Sequence, residues 1–219
     1  MPAQSGQSFY ETTLQWYVPT PTVYYNGGSA FSSAWAGIGG CGGSQALIQA
    51  GTESDTGIGS ADVPYAWWEI LPANQVTITQ FSPSFGDEMY EDISVSPATV
   101  GVSFYVEDET TGAYASFSES YAGTNGYDPS TANWIMERTC ESGSIPPLAD
   151  YGSDTFSDAG TSYTTSSGGS GFVYAGDQSP TNVAMVDDNG QTLSTAGSIG
   201  SLGTFGMTWQ NFGDYDGAC

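Results

Sequence analysis

The chain has 219 residues, 38% hydrophobic and 14% aromatic, enough to bury a sizeable core. Its length fits one all-β domain or two small ones, and a single domain over residues 1–219 is expected. Twenty-four acids stand against one base, Arg138, with no Lys and no His, for a formal charge of −23; nucleic acid and anionic membranes are excluded as partners for want of a basic patch, and histidine-based nucleophiles and metal sites are excluded outright.

In chain order, Thr13 to Val18 forms an extended segment closed by Pro19, with turns at Pro21 and Asn26-Gly27-Gly28. Ser33 to Ile38, the glycines Gly39-Gly40 and Gly42-Gly43, and Ala46 to Gln49 read as a hairpin. Tyr65 to Leu71 puts Trp67 and Glu69 on one face and Trp68 and Ile70 on the other. Val76, Ile78 and Gln80 alternate with Thr77 and Thr79, and Gly86-Asp87 turns. Val102, Phe104 and Val106 continue the pattern, and Thr110-Thr111-Gly112 forms the tip before Tyr114 to Tyr121. Later strands are Ala132 to Arg138, Phe172 to Ala175, Asn182 to Val186 and Phe205 to Trp209. Ser162 to Gly171 should be the least ordered stretch, a long loop or a strand edge. Short strands, close turns and no amphipathic helix predict an all-β antiparallel sandwich of jelly-roll or concanavalin-like type.

Charged residues total only 11%, against about 25% in soluble domains, so base is missing rather than acid in surplus. With carboxyl pKa values of about 3.9 to 4.3, nearly every acid is neutral near pH 2, whereas neutral pH brings self-repulsion. The chain is therefore expected to work in acid, with its stability maximum below pH 7. No run approaches the roughly 20 apolar residues of a membrane span, and Met1 opens a polar segment, as in a mature or trimmed product. Secretion into an acidic extracellular environment follows from the acid adaptation. Cys41, Cys140 and Cys219 permit one disulfide, and Cys140–Cys219 is the favoured pairing of three.

In Ala132 to Arg138, Asn133, Ile135 and Glu137 share one face, and Trp134, Met136 and Arg138 the other. A carboxylate beside apolar bulk on a strand can have its pKa tuned, although a solvated strand end is the commoner arrangement. Arg138 either pairs with an acid or ends the strand in solvent. Gln49, flanked by Leu47 and Ile48, needs a hydrogen-bond partner once buried: backbone at a sheet edge, or a substrate carbonyl or water held by Glu137.

The chain resembles the glutamic peptidases, the eqolisin family of acid-acting endopeptidases. The resemblance rests on Ser-Ala-Trp-x-Gly-Ile-x-Gly at Ser33 to Gly40, Ala-Leu-Ile-Gln-x-Gly at Ala46 to Gly51, Tyr-Ala-Trp-Trp-Glu at Tyr65 to Glu69, and Asn-Trp-Ile-Met-Glu at Asn133 to Glu137. It implies two curved antiparallel sheets, Gln49 and Glu137 as the catalytic pair, and Trp35, Trp67 and Glu69 lining the groove. The family commonly carries acids where this chain has Gly39 and Tyr65.

Peptide hydrolysis needs an activated water, oxyanion stabilisation and a proton for the leaving nitrogen. Ionised Glu137 would take the proton from the water and later pass it to the amine, while the Gln49 amide donates to the oxyanion. Protein or peptide substrates, a monomer and no cofactor or metal are expected. The rivals are a jelly-roll glycoside hydrolase using Glu69 and Glu137, and a non-catalytic carbohydrate-binding sandwich. By parity Trp67 faces the groove, and Trp68 and Trp134 pack inside.

Overall fold

The computed structural model describes residues 1–22, 28–57, 62–140 and 143–214. Its strands are β1 (Gln7–Tyr17), β2 (Ser33–Gly39), β3 (Leu47–Glu53), β4 (Tyr65–Ile70), β5 (Val76–Thr77), β6 (Glu88–Ser96) and β7 (Gly101–Asp108). There follow β8 (Ala113–Ser120), β9 (Ala132–Glu137), β10 (Ser153–Thr165), β11 (Ser170–Tyr174), β12 (Met185–Val186), β13 (Thr192–Ala196) and β14 (Phe205–Trp209). All pairings between these strands are antiparallel.

One sheet has nine strands in the order β12-β13-β14-β10-β1-β6-β7-β8, with β11 also on β10; the other has five, β5-β4-β3-β2-β9. This is the sandwich that the short alternating strands predict. In β6, Met89, Glu91, Ile93 and Val95 are the buried positions, so period-two alternation turns one face inward. Phe9, Leu14, Trp16, Ile38, Ile48 and Phe104 fill the space between the sheets. Trp68 packs there too, against Phe104 and Phe117 at ring separations of 5.4 and 5.7 Å.

Two alternatives left open by the sequence narrow here. Ser162 to Gly171 takes the strand-edge alternative rather than the long loop: β10 and β11 pair from Gly160↔Tyr174 to Thr164↔Ser170, because Ser and Thr satisfy a sheet's backbone as well as apolar residues do. Arg138 ends no strand in solvent: it is buried, and its guanidinium donates to the carbonyls of Pro146, Ile145 and Asp214. Cys140 is disulfide-bonded and Cys41 is a free, exposed thiol; Cys219 and the Asn26-Gly27 turn lie outside the described residues.

Candidate active site

Ala34, Ala36, Ile38, Ile48, Ala50, Ala66 and Ile70 of the five-stranded sheet point into the core. The alternate residues share the opposite face. The register sets them in rows across β4, β3, β2 and β9: Glu69, Gln49, Gly37 and Asn133; then Trp67, Gly51, Trp35 and Ile135; then Tyr65, Glu53, Ser33 and Glu137. All five residues singled out in the sequence, Gln49, Glu137, Trp35, Trp67 and Glu69, thus stand on one face.

Gln49 and Glu137 do not bond each other. The Trp35 indole N–H donates to Glu137 Oε2 at 2.7 Å, and Gln49 Nε2 donates to Glu69 Oε2 at 2.6 Å. Gln49 is only 6% exposed, and its Oε1 has no hydrogen-bond partner among the described residues. One N–H of its amide and one buried carbonyl oxygen are therefore left to meet another molecule.

Trp35 stands midway between the two side chains, and the positions beside it on this face, Gly37 and Gly51, are glycine. A Cβ on Gly51 would lie 2.2 Å from the Ala34 carbonyl oxygen and 2.6 Å from Trp35 Cβ, and one on Gly37 would lie 2.7 Å from the Ile48 carbonyl oxygen. Trp67 lies on the groove face but only 2% exposed, donating from Nε1 to Ser33 Oγ at 3.1 Å. Trp134 packs on the core side, its Nε1 bonded to the Thr13 carbonyl at 2.8 Å.

Burial dominates the electrostatics. It pushes Glu137 up to about 7, against the Trp35 hydrogen bond and with help from the Glu69 charge. Glu69 is raised by burial too, opposed by its bonds from Gln49 and the Gln75 backbone. Glu53, fully buried, is raised well above the carboxylate range by burial and then by Asp55, while Thr139 Oγ1, donating to Glu53 Oε1 at 2.6 Å, works the other way. Sequence inspection missed Glu53 and Asp55. Parity along β3, from Gln49 through Gly51 to Glu53, was the signal that could have placed Glu53 on this face.

The chain matches the Peptidase A4 family model over residues 2–208. Comparison with curated proteins gives no significant match. Among solved structures it is similar to scytalido-glutamic peptidase bound to a transition-state analogue inhibitor, with 24% identity over 94% of each chain and a TM-score of 0.73. It is also similar to SCP-B, an eqolisin family member in complex with the tripeptide Ala-Ile-His, with 25% identity over 94% of each chain and a TM-score of 0.67. Aspergilloglutamic peptidase from Aspergillus niger shares 25% identity over 83% of this chain and 99% of its own, at a TM-score of 0.65. A family match over nearly the whole length, on a sandwich with this fold, decides against the glycosidase and binding-module alternatives: the chain belongs to the Peptidase A4 family, the eqolisin-type glutamic peptidases.

Proposed function

We propose that the protein is a secreted, monomeric endopeptidase that cleaves protein and peptide chains in acid, and that Gln49 and Glu137 carry the chemistry. The observation that supports this most is the shared face. A buried carboxyl, steadied by Trp35, stands on the same surface as a buried amide with unspent hydrogen-bonding groups, and Gly37 and Gly51 keep the positions beside Trp35 free of side chains. Relatives solved with a peptide-based analogue and with a tripeptide point to the same substrate class.

With its pKa near 7, Glu137 is protonated in acid, not ionised as the sequence-based mechanism supposed. A neutral carboxyl holds one O–H donor and one acceptor oxygen. Trp35 donates to Oε2, which makes that oxygen the acceptor and leaves the proton to Oε1. As water attacks the scissile carbonyl carbon, one water proton passes to Oε2 and the Oε1 proton passes to the carbonyl oxygen. A neutral tetrahedral diol results and Glu137 is neutral again. On collapse, a diol hydroxyl returns its proton to Glu137, which protonates the departing nitrogen as the C–N bond breaks. The Gln49 amide donates to the oxygen on which charge builds, and Glu69 holds that amide in place. Trp67, through Ser33, braces β2.

The test is hydrolysis of an acid-unfolded protein at pH 3 by wild type, Gln49→Ala and Glu137→Gln. Loss of one oxyanion donor costs about 100- to 1000-fold in kcat, and loss of the carboxyl costs more. Near-normal turnover by either folded variant defeats the assignment.

A further inference from the structure

The two sheets differ in width, and the mismatch opens a space beside the site. Strand β2 lies over β1, and β9 over β1 and β10. Beyond β9 the nine-stranded sheet continues through β14, β13 and β12, and among the described residues no strand of the smaller sheet covers these. A cavity of about 800 Å³ fills the gap. Trp134, Ile135 and Met136 form one wall, Val183, Met185, Ile199 and Phe205 the other, and Trp35 and Glu137 also line it.

The open side of β9 presents main chain as well as apolar surface. Ala132 N–H donates to the Met1 carbonyl at 3.0 Å, and the Met1 amino group donates to the Ala132 carbonyl, so at Ala132 both backbone groups point away from β2. Alternation gives Trp134 and Met136 the same outward aim. No strand among the described residues pairs with them, since β9 ends the five-stranded order. At Trp134 and Met136, which no described residue pairs, an edge with an apolar trough below it suits an extended peptide, which supplies matching N–H and C=O groups and alternate side chains for the trough.

We propose that the outer edge of β9 binds a part of the substrate chain remote from the scissile bond as an added strand, with large apolar side chains seated against Val183, Met185, Ile199 and Phe205. The inference rests on Glu137 as the catalytic acid, because the cavity's continuity with Glu137 makes the occupant a substrate segment. A bond cleaved over β2 lies two strand spacings from the added strand, about 10 Å, or about three extended residues. Short peptides therefore end before the edge.

The experiment compares a short cleavable peptide with versions extended at either end by four residues rich in Leu and Phe. One extension should lower KM by about tenfold with kcat unchanged, a gain equal to one or two net backbone hydrogen bonds plus apolar contact. Val183→Asp, at a 64% exposed position, should abolish that gain and leave cleavage of the short peptide untouched. N-methylation of alternate amides in the extension should do the same with wild-type protein, where folding is not in question. Equal KM for short and extended peptides, or a gain that survives both Val183→Asp and N-methylation, overturns the proposal. So does a wild-type dimer in sedimentation that Val183→Asp dissociates, because the edge then takes a second copy. Failure of the catalytic assignment shows separately, as normal cleavage of the short peptide by Glu137→Gln.

Discussion

Trp35 and Glu137 lie on neighbouring strands two register positions apart, and the indole N–H of the first donates to Oε2 of the second at 2.7 Å. The bond favours the ionised carboxyl, while burial and Glu69 oppose it, and burial wins. Under the proposed mechanism, activity should be retained below the Glu137 pKa and lost as pH rises through about 7. An ionised base would give the reverse, a rate climbing toward neutrality, so the kcat/KM profile from pH 3 to 8 separates the two.

Substituting the two neighbours should move that falling limb in opposite directions. Trp35→Phe removes the donor that holds the pKa down, so the limb should shift up by about one pH unit. Glu69→Gln removes a charge that holds it up and keeps an acceptor for Gln49, so the limb should shift down. Shifts of the same sign, read from kcat/KM profiles, would contradict the arrangement.

Stability should fall as pH rises. A carboxyl whose folded pKa lies above its unfolded value stabilises the fold fully below the unfolded value and loses that contribution as pH passes the folded one. Glu137 and Asp154 are pushed to about 7 by burial, and Glu53 and Glu91 are raised well above the usual range. Asp128, lowered by its Ser130 and Ser44 hydrogen bonds, runs the other way. At about 1.4 kcal/mol per pKa unit, Glu137 and Asp154 are each worth on the order of 3 to 5 kcal/mol. Thermal denaturation should give a higher Tm at pH 4 than at pH 7.

Glu91 offers a separate test of buried acid. It is fully enclosed between the sheets, and its Oε1 accepts the Ala36 N–H at 2.8 Å, directly behind Trp35. Glu91→Gln keeps the acceptor and cannot ionise, so it should lessen the loss of Tm as pH rises, the remainder coming from Glu53, Glu137 and Asp154. Glu91→Ala leaves that N–H buried and unpaired, which costs about 1 to 3 kcal/mol at every pH.

The glycines are equally direct. Gly51→Ala sets a methyl 2.2 Å from the Ala34 carbonyl oxygen, a contact that only backbone movement relieves. Overpacking of this kind costs typically about 1 to 3 kcal/mol and displaces Trp35, so both Tm and kcat should drop. Gly42→Ala, with no atom within 4 Å of the added methyl but at φ +65°, should lower Tm and leave kcat unchanged.

Composition and alternation settled much by themselves. Missing His and Lys left carboxyls and amides as the available chemistry, and two-residue periodicity put Gln49, Glu69 and Glu137 on faces that proved to be one face. Parity also sent Trp68 and Trp134 to the core. Strands β6, β13 and most of β10 were not legible, because Glu, Asp, Ser and Thr stand where alternation calls for apolar residues. Packing decided what local pattern could not. The depth at which Glu53, Glu91 and Glu137 are buried fixes their protonation, and the partners of Gln49 and Trp35 depend on which strands are neighbours. The unequal width of the two sheets, which leaves β9 without a further partner strand among the described residues, exists only once the strands are ordered, since desolvation and strand order belong to the assembled sandwich and to no segment of it.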